Sequence, residues 1–153
     1  MSISIELQNT LSTPDLPDQQ DFQCWVDAIP SQSEQEVLIR IVDRQEMLAL
    51  NHQFRHQEKA TNVLSFRAEL PAVVDLPLLG DVVICAPVVQ QEANEQGKRV
   101  FSHWAHMTVH GILHLQGYDH TEASAANIME QLETDIMRTL GFANPYTDTH
   151  SHS

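Results

Sequence analysis

A chain of 153 residues, 42% hydrophobic and 19% charged, is sized for one globular domain with its own core. Its 21 acidic residues against 8 basic ones leave a formal charge of −13, which excludes diffuse binding to nucleic acid or to anionic membranes. A local basic site survives that exclusion, because physiological salt screens charges beyond about 8 Å.

The first ten residues, MSISIELQNT, carry neither a basic n-region nor an apolar h-region, so no secretory signal is expected. The longest apolar run, around VVICAPVV, is too short to span a bilayer. Cys24 and Cys85 show no metal-ligand spacing and fit a reduced, cytoplasmic protein.

In chain order, the first predicted strand lies near Ile3–Gln8, followed by a polar, proline-containing connection over Thr13–Asp21. DFQCWVDAIP reads as a short helix stopped at Pro30. Glu36–Asp43 is β-branched and apolar, the pattern of a strand. RQEMLALNHQFR has helical spacing, with Met47, Leu50 and Phe54 on one side. Thr61–Phe66 reads as a strand, LPAVVDLP as a proline-bounded loop, and Gly80–Cys85 as a buried strand.

Helices follow. Pro87 suits a first helical turn and Gly97 a helix end. FSHWAHMTVHGILHLQG is helical in period and ends at Gly117. In the last helix Ile128, Leu132, Ile136 and Leu140 form one stripe, and Gly141 is a natural stop. The polar stretch from Asn144 predicts a single domain over 1–143 and a disordered tail over 144–153. Strands mostly first and helices mostly later give an α+β fold: a small mixed sheet packed with several helices.

The histidines carry the chemistry. Five of the nine are His103, His106, His110, His114 and His120. On a helical wheel Phe101, Ala105, Thr108, Ile112 and Leu115 share one face, and His103, His106, His110 and His114 the opposite one. His110 and His114 lie one turn apart, so both rings can reach one ion at about 2.0–2.1 Å. Gly117 permits the left-handed turn that could return His120 to the same ion. The expected metal site thus sits on a central helix and the turn after it. Three imidazoles suit one Zn²⁺ per chain, and they also accept Ni²⁺ or another divalent ion. The sequence offers no obvious fourth protein ligand, and open coordination favours catalysis over a purely structural metal. Asp119 could orient a ligand, contact metal-bound water or cap the next helix; the cap is the plainer reading. His106 could support the metal or face substrate, although a structural role is the simpler one. His150 and His152 are incidental tail residues.

The frame H-x-x-x-H-x-x-G-x-x-H is shared with zinc peptidases, but Gly111 stands where their catalytic glutamate follows the first histidine. Arg55, Lys59 and Arg67 cluster around one predicted strand. They could be a solvated strand edge, or a phosphate site in which a guanidinium is the best bidentate partner. Lys98 and Arg99 read as a helix-junction surface.

The segments Leu50–Phe66, Leu79–Lys98 and His103–His120 resemble the YbeY family of bacterial zinc-binding endoribonucleases, and MEQLETDIMRTLGF is similar to that family's C-terminal end. The resemblance covers about Leu50–Phe142 well. It implies zinc on His110, His114 and His120, and a functional arginine at Arg55. It also implies cleavage of single-stranded RNA in ribosomal RNA maturation, at the 16S 3′ end, and in ribosome quality control. Lys59 and Arg67 are then candidates for tracking the RNA backbone. The HQEK segment after Arg55 is less glycine-rich than the resemblance leads one to expect. Implied partners are single-stranded or ribosomal RNA and the ribosome or its small-subunit proteins, with no membrane. Two rival readings are a zinc metallopeptidase and a non-enzymatic ribosome-assembly factor with a structural metal. The first lacks a base at Gly111, and the second would process RNA without its metal.

Overall fold

The structure, a computed structural model, describes residues 2–68, 77–119 and 122–146. Along the chain run β1 (Ile3–Asn9), α1 (Gln19–Asp27), β2 (Gln35–Val42), α2 (Arg44–Arg55), β3 (Val63–Arg67) and β4 (Leu78–Cys85). Then come α3 (Ala86–Gln96), α4 (Val100–Leu115) and α5 (Ala123–Thr139). The described residues form one small α+β domain with a four-stranded mixed sheet, as expected. The strand order is β1-β2-β4-β3, with β1, β2 and β4 parallel and β3 antiparallel to β4.

Local chemistry sets the element ends. Asp18 and Asp21 bond each other's backbone N–H in a capping box that opens α1. The Asp43 carboxylate accepts from Glu46 N at 2.9 Å and opens α2. Pro87 sits in the first turn of α3, and Gly97 closes it in the left-handed region at φ 63°.

Strand alternation gives the sheet two faces. Ile3, Ile5, Val37, Ile39, Ile41, Val82 and Ile84 meet Phe22, Trp25, Trp104, Ile112, Met129 and Met137 from α1, α4 and α5. Phe22 joins the two tryptophans edge to face, with ring centroids 5.2 and 6.1 Å apart. On the other face Val42, Leu64, Val83 and Cys85 pack with Met47 and Val88 from α2 and α3. That cluster is smaller. Toward β1 the second face carries Gln8, Leu38, Arg40 and Asp81, and it is the floor of a cavity.

Three expectations need correction. α4 does not divide into a core face and an open histidine face: His103 and His106 are buried with the apolar residues, while Phe101 is exposed. The reason is position, since α4 packs against α1, α3, α5 and the sheet. In α5 the inward face is Met129, Glu133, Ile136 and Met137, and Ile128 points outward at 58% exposure. The stripe is rotated so that a glutamate, not a further aliphatic residue, faces α4. Finally, the chain is packed beyond residue 143: Pro145 O accepts from Lys98 Nζ at 2.8 Å, and the Tyr146 hydroxyl donates to Glu133. The LPAVVDLP loop as far as Leu76, and the tail from residue 147 with His150 and His152, lie outside the described residues. Among the described residues no helix is long and apolar enough to cross a membrane.

Candidate active site

The C-terminal half of α4 passes close over β3 and β4, and Gly111 is what lets it do so. A Cβ at Gly111 would lie 2.7 Å from Val82 Cγ1 and 3.3 Å from both Ser65 Oγ and Val63 Cγ2. Ser65 Oγ donates to Gly111 O at 2.9 Å and ties the helix to the strand. The place of the peptidase glutamate therefore faces the sheet and is filled by sheet side chains. Gly111→Ala gains about 1 kcal/mol of helix propensity but overpacks the contact at a cost of about 1–3 kcal/mol. The expected net effect is a loss of about 1 kcal/mol, read from the urea midpoint at unchanged m-value.

From His110 onward the histidine face emerges from the core: His110 is half-buried and His114 exposed. Their ring centroids are 6.2 Å apart. His110 Nδ1 donates to Glu133 Oε1 at 2.6 Å, and His114 Nδ1 donates to Tyr118 O at 2.9 Å. Each acceptor is an oxygen with no proton to give, so each neutral ring carries its lone pair on Nε2. That is the form a metal accepts, and a carboxylate behind a ligating imidazole is the usual support for one. The two described imidazoles therefore suit a divalent metal ion. The third expected ligand, His120, lies outside the described residues. The turn leading to it is in place: Gly117 has φ 107°, a conformation that favours glycine. Asp119 is not the cap of α5, since the N-cap position is Glu122.

Glu133 anchors the buried side of this cluster. It is fully buried, and Tyr146 donates to its Oε2. Burial pushes its carboxyl up, but the nearby His106 ring and the hydrogen bonds from His110 and Tyr146 outweigh burial and hold the pKa at about 2. Tyr146 is driven upward by burial and by this carboxylate. His106 Nε2 lies 3.5 Å from Glu133 Oε2, and burial lowers its pKa. His103 Nε2 donates to Glu92 Oε1 at 2.9 Å, and burial lowers it likewise. His106 thus stands behind the site, not in it. Glu133 and Tyr146 were missed in the sequence. The available signal was a lone glutamate at Met129 + 4 on the inward face of α5.

On the other side, His114 and Leu115 reach a cavity of about 830 Å³ lined also by Arg40, Phe54, Arg55, Ser65, Phe66, Arg67 and Asp81. Arg55, at the end of α2, donates from Nη2 to Ser65 O at 2.9 Å, and its guanidinium lies over the Phe66 ring at 5.2 Å. Arg67 Nη2 donates to His114 O at 3.3 Å. Arg40, which the sequence did not single out, pairs with Glu46. Burial raises the Asp81 pKa, with Arg40 opposing. Three of the 8 basic residues thus meet at one cavity, which is the local basic site that the overall charge left open. Lys59 is not part of its lining.

Fold and site together define an α+β protein whose central helix brings His114 to an arginine-lined cavity. The model of the family described as endoribonuclease YbeY matches residues 6–141. The chain belongs to that family, and its class of activity is that of an endoribonuclease, the cutting of RNA within the strand. It is also similar in fold to the solution structure of a Thermotoga maritima protein solved as a structural-genomics target. The two share 20% identity with a TM-score of 0.52, over 95% of this chain and 99% of the other.

Proposed function

We propose that the protein is a zinc-dependent endoribonuclease that cuts single-stranded RNA in ribosomal RNA maturation and ribosome quality control. The observation that carries this reading is the meeting of His114, Arg55 and Arg67 at one cavity. His110, His114 and His120 would hold the metal. When bound, zinc supplies Lewis-acid chemistry for a phosphate oxygen or for water.

The chain's own residues supply the rest. Arg55 has five N–H donors, and the bond to Ser65 O commits one of them. Held over the Phe66 ring and bonded to Ser65 O, the guanidinium is preorganised for the charge that builds on phosphorus during cleavage. Arg67 adds a second cation and steadies the end of α4 through His114 O. Glu133 holds the tautomer and direction of His110. The acidic bulk predicts modest affinity for free RNA, so ribosomal proteins or the ribosome would add to recognition.

Metal analysis of the purified protein, paired with cleavage of a single-stranded RNA oligomer, tests the reading. His114→Ala should lose bound metal and lower cleavage at least about 100-fold, since ligand loss exceeds the 10–100-fold effect of losing a ligand's support. Intact metal content together with intact cleavage would refute it. The 3′ ends of the products report the nucleophile: a cyclic phosphate marks attack by the 2′-OH, and its absence marks attack by water.

A further inference from the structure

We propose that Phe54 is a platform on which a base of the RNA stacks beside the phosphate held by Arg55, and that it gives the site its preference for unpaired strands. The proposal rests on the nuclease reading and names how that site takes its substrate. Phe54 was expected on the core side of α2 with Met47. Instead Met47 is fully buried while Phe54 is 50% exposed on the cavity wall. Its ring meets Phe66 at 5.3 Å with planes 66° apart, and Phe66 in turn carries the Arg55 guanidinium. The ring is therefore held in position by a neighbour without being covered by it.

An exposed phenyl ring on a cavity wall calls for a flat apolar partner. The cavity decides which partner. Arg40, Arg55 and Arg67 match phosphates, and the floor is polar at Gln8 and Asp81. Aromatic rings interleaved with cations are what a single-strand groove requires, because every base has a π-face and every linkage a charge. A paired base already spends both faces in its own stack, so a duplex gains nothing from this ring. Leu48, also on α2 and 41% exposed, does not line the cavity and serves as a control for loss of apolar surface.

The test is steady-state cleavage of a single-stranded RNA oligomer by the zinc-loaded protein. Alongside it runs binding of that oligomer and of an abasic ribose-phosphate oligomer of equal length. Phe54→Ala should raise KM about tenfold with kcat nearly unchanged, Phe54→Trp should restore it, and Leu48→Ala should do nothing. Binding of the abasic oligomer should not respond to Phe54→Ala. An unchanged KM overturns the proposal and assigns the ring to a protein contact. Equal weakening of both oligomers overturns it too, since the loss would then be electrostatic or structural. Phe54-dependent binding with no cleavage by the wild type would sink the nuclease reading and leave the platform standing.

Discussion

Glu133→Ala is expected to cost about 3 kcal/mol of folding stability, the range for breaking a buried charged cluster by removing one partner, and to weaken zinc 10- to 100-fold, roughly the worth of a ligand's carboxylate support. Two separate losses combine. The carboxylate accepts from His110 and from Tyr146 in a place closed to water, so its removal leaves both donors without an acceptor. It also fixes the His110 ring with Nε2 turned from the core, so its removal frees the tautomer. Glu133→Gln separates the two. A glutamine can accept from His110 Nδ1 with its oxygen and donate to the Tyr146 hydroxyl with its nitrogen, so most of the stability returns. The charge does not return, and zinc affinity should stay reduced. Urea unfolding of the metal-free proteins and a competitive zinc titration read the two effects apart. If the alanine variant lost stability but bound zinc as the wild type does, Glu133 would be a packing residue and not a support for the metal.

Where the answer lay within a few residues of sequence, the elements were readable. Pro87 and Gly97 are local punctuation, and α2 runs over the 12 residues that its spacing marked, although Asp43, read as the end of a strand, is instead the cap that opens α2. The histidine pair was readable for the same reason, because one helical turn fixes its geometry. The partners of that pair were not. Glu133 reaches His110 across 23 residues, and only the packing of α5 on α4 decides which side of α5 points inward. The burial of His103 and His106 has the same cause. The cavity is a consequence of strand order. Arg40 lies beside Val83, and Asp81 lies between Leu38 and Phe66, only because β4 is inserted between β2 and β3. The role of Gly111 needed β3 and β4 in place as well: its missing side chain answers to Val82 and Ser65, where the sequence alone showed only a glycine in the place of a peptidase glutamate.

Arg55→Ala is expected to lower kcat for single-stranded RNA by about 10²–10³-fold, the effect of removing one preorganised donor from a developing charge, and to leave the fold intact. Arg55 is exposed, and it contributes one hydrogen bond and one ring contact to the fold, so the stability cost stays near 1 kcal/mol. The kinetic cost is larger because the guanidinium is already held by Ser65 O and the Phe66 ring before substrate arrives, so no ordering is left for the reaction step. Arg55→Lys sharpens the point. Lysine restores the charge but not the flat fork, and it can stack on Phe66 only weakly. If the site needs charge alone, lysine should recover most of kcat; if it needs the bidentate fork, lysine should stay within about tenfold of alanine. We expect the second outcome, since one Nη2 bonds Ser65 O while the guanidinium carbon stands over the Phe66 ring, and a single ammonium cannot keep both contacts and face a phosphate. The split between kcat and KM decides the role. A fall in kcat at constant KM puts Arg55 on the transition state, whereas a rise in KM at constant kcat makes it an anchor for the bound strand. Arg67→Ala is the comparison. It should raise KM more than it lowers kcat, because its guanidinium is engaged with the end of α4 at His114 O.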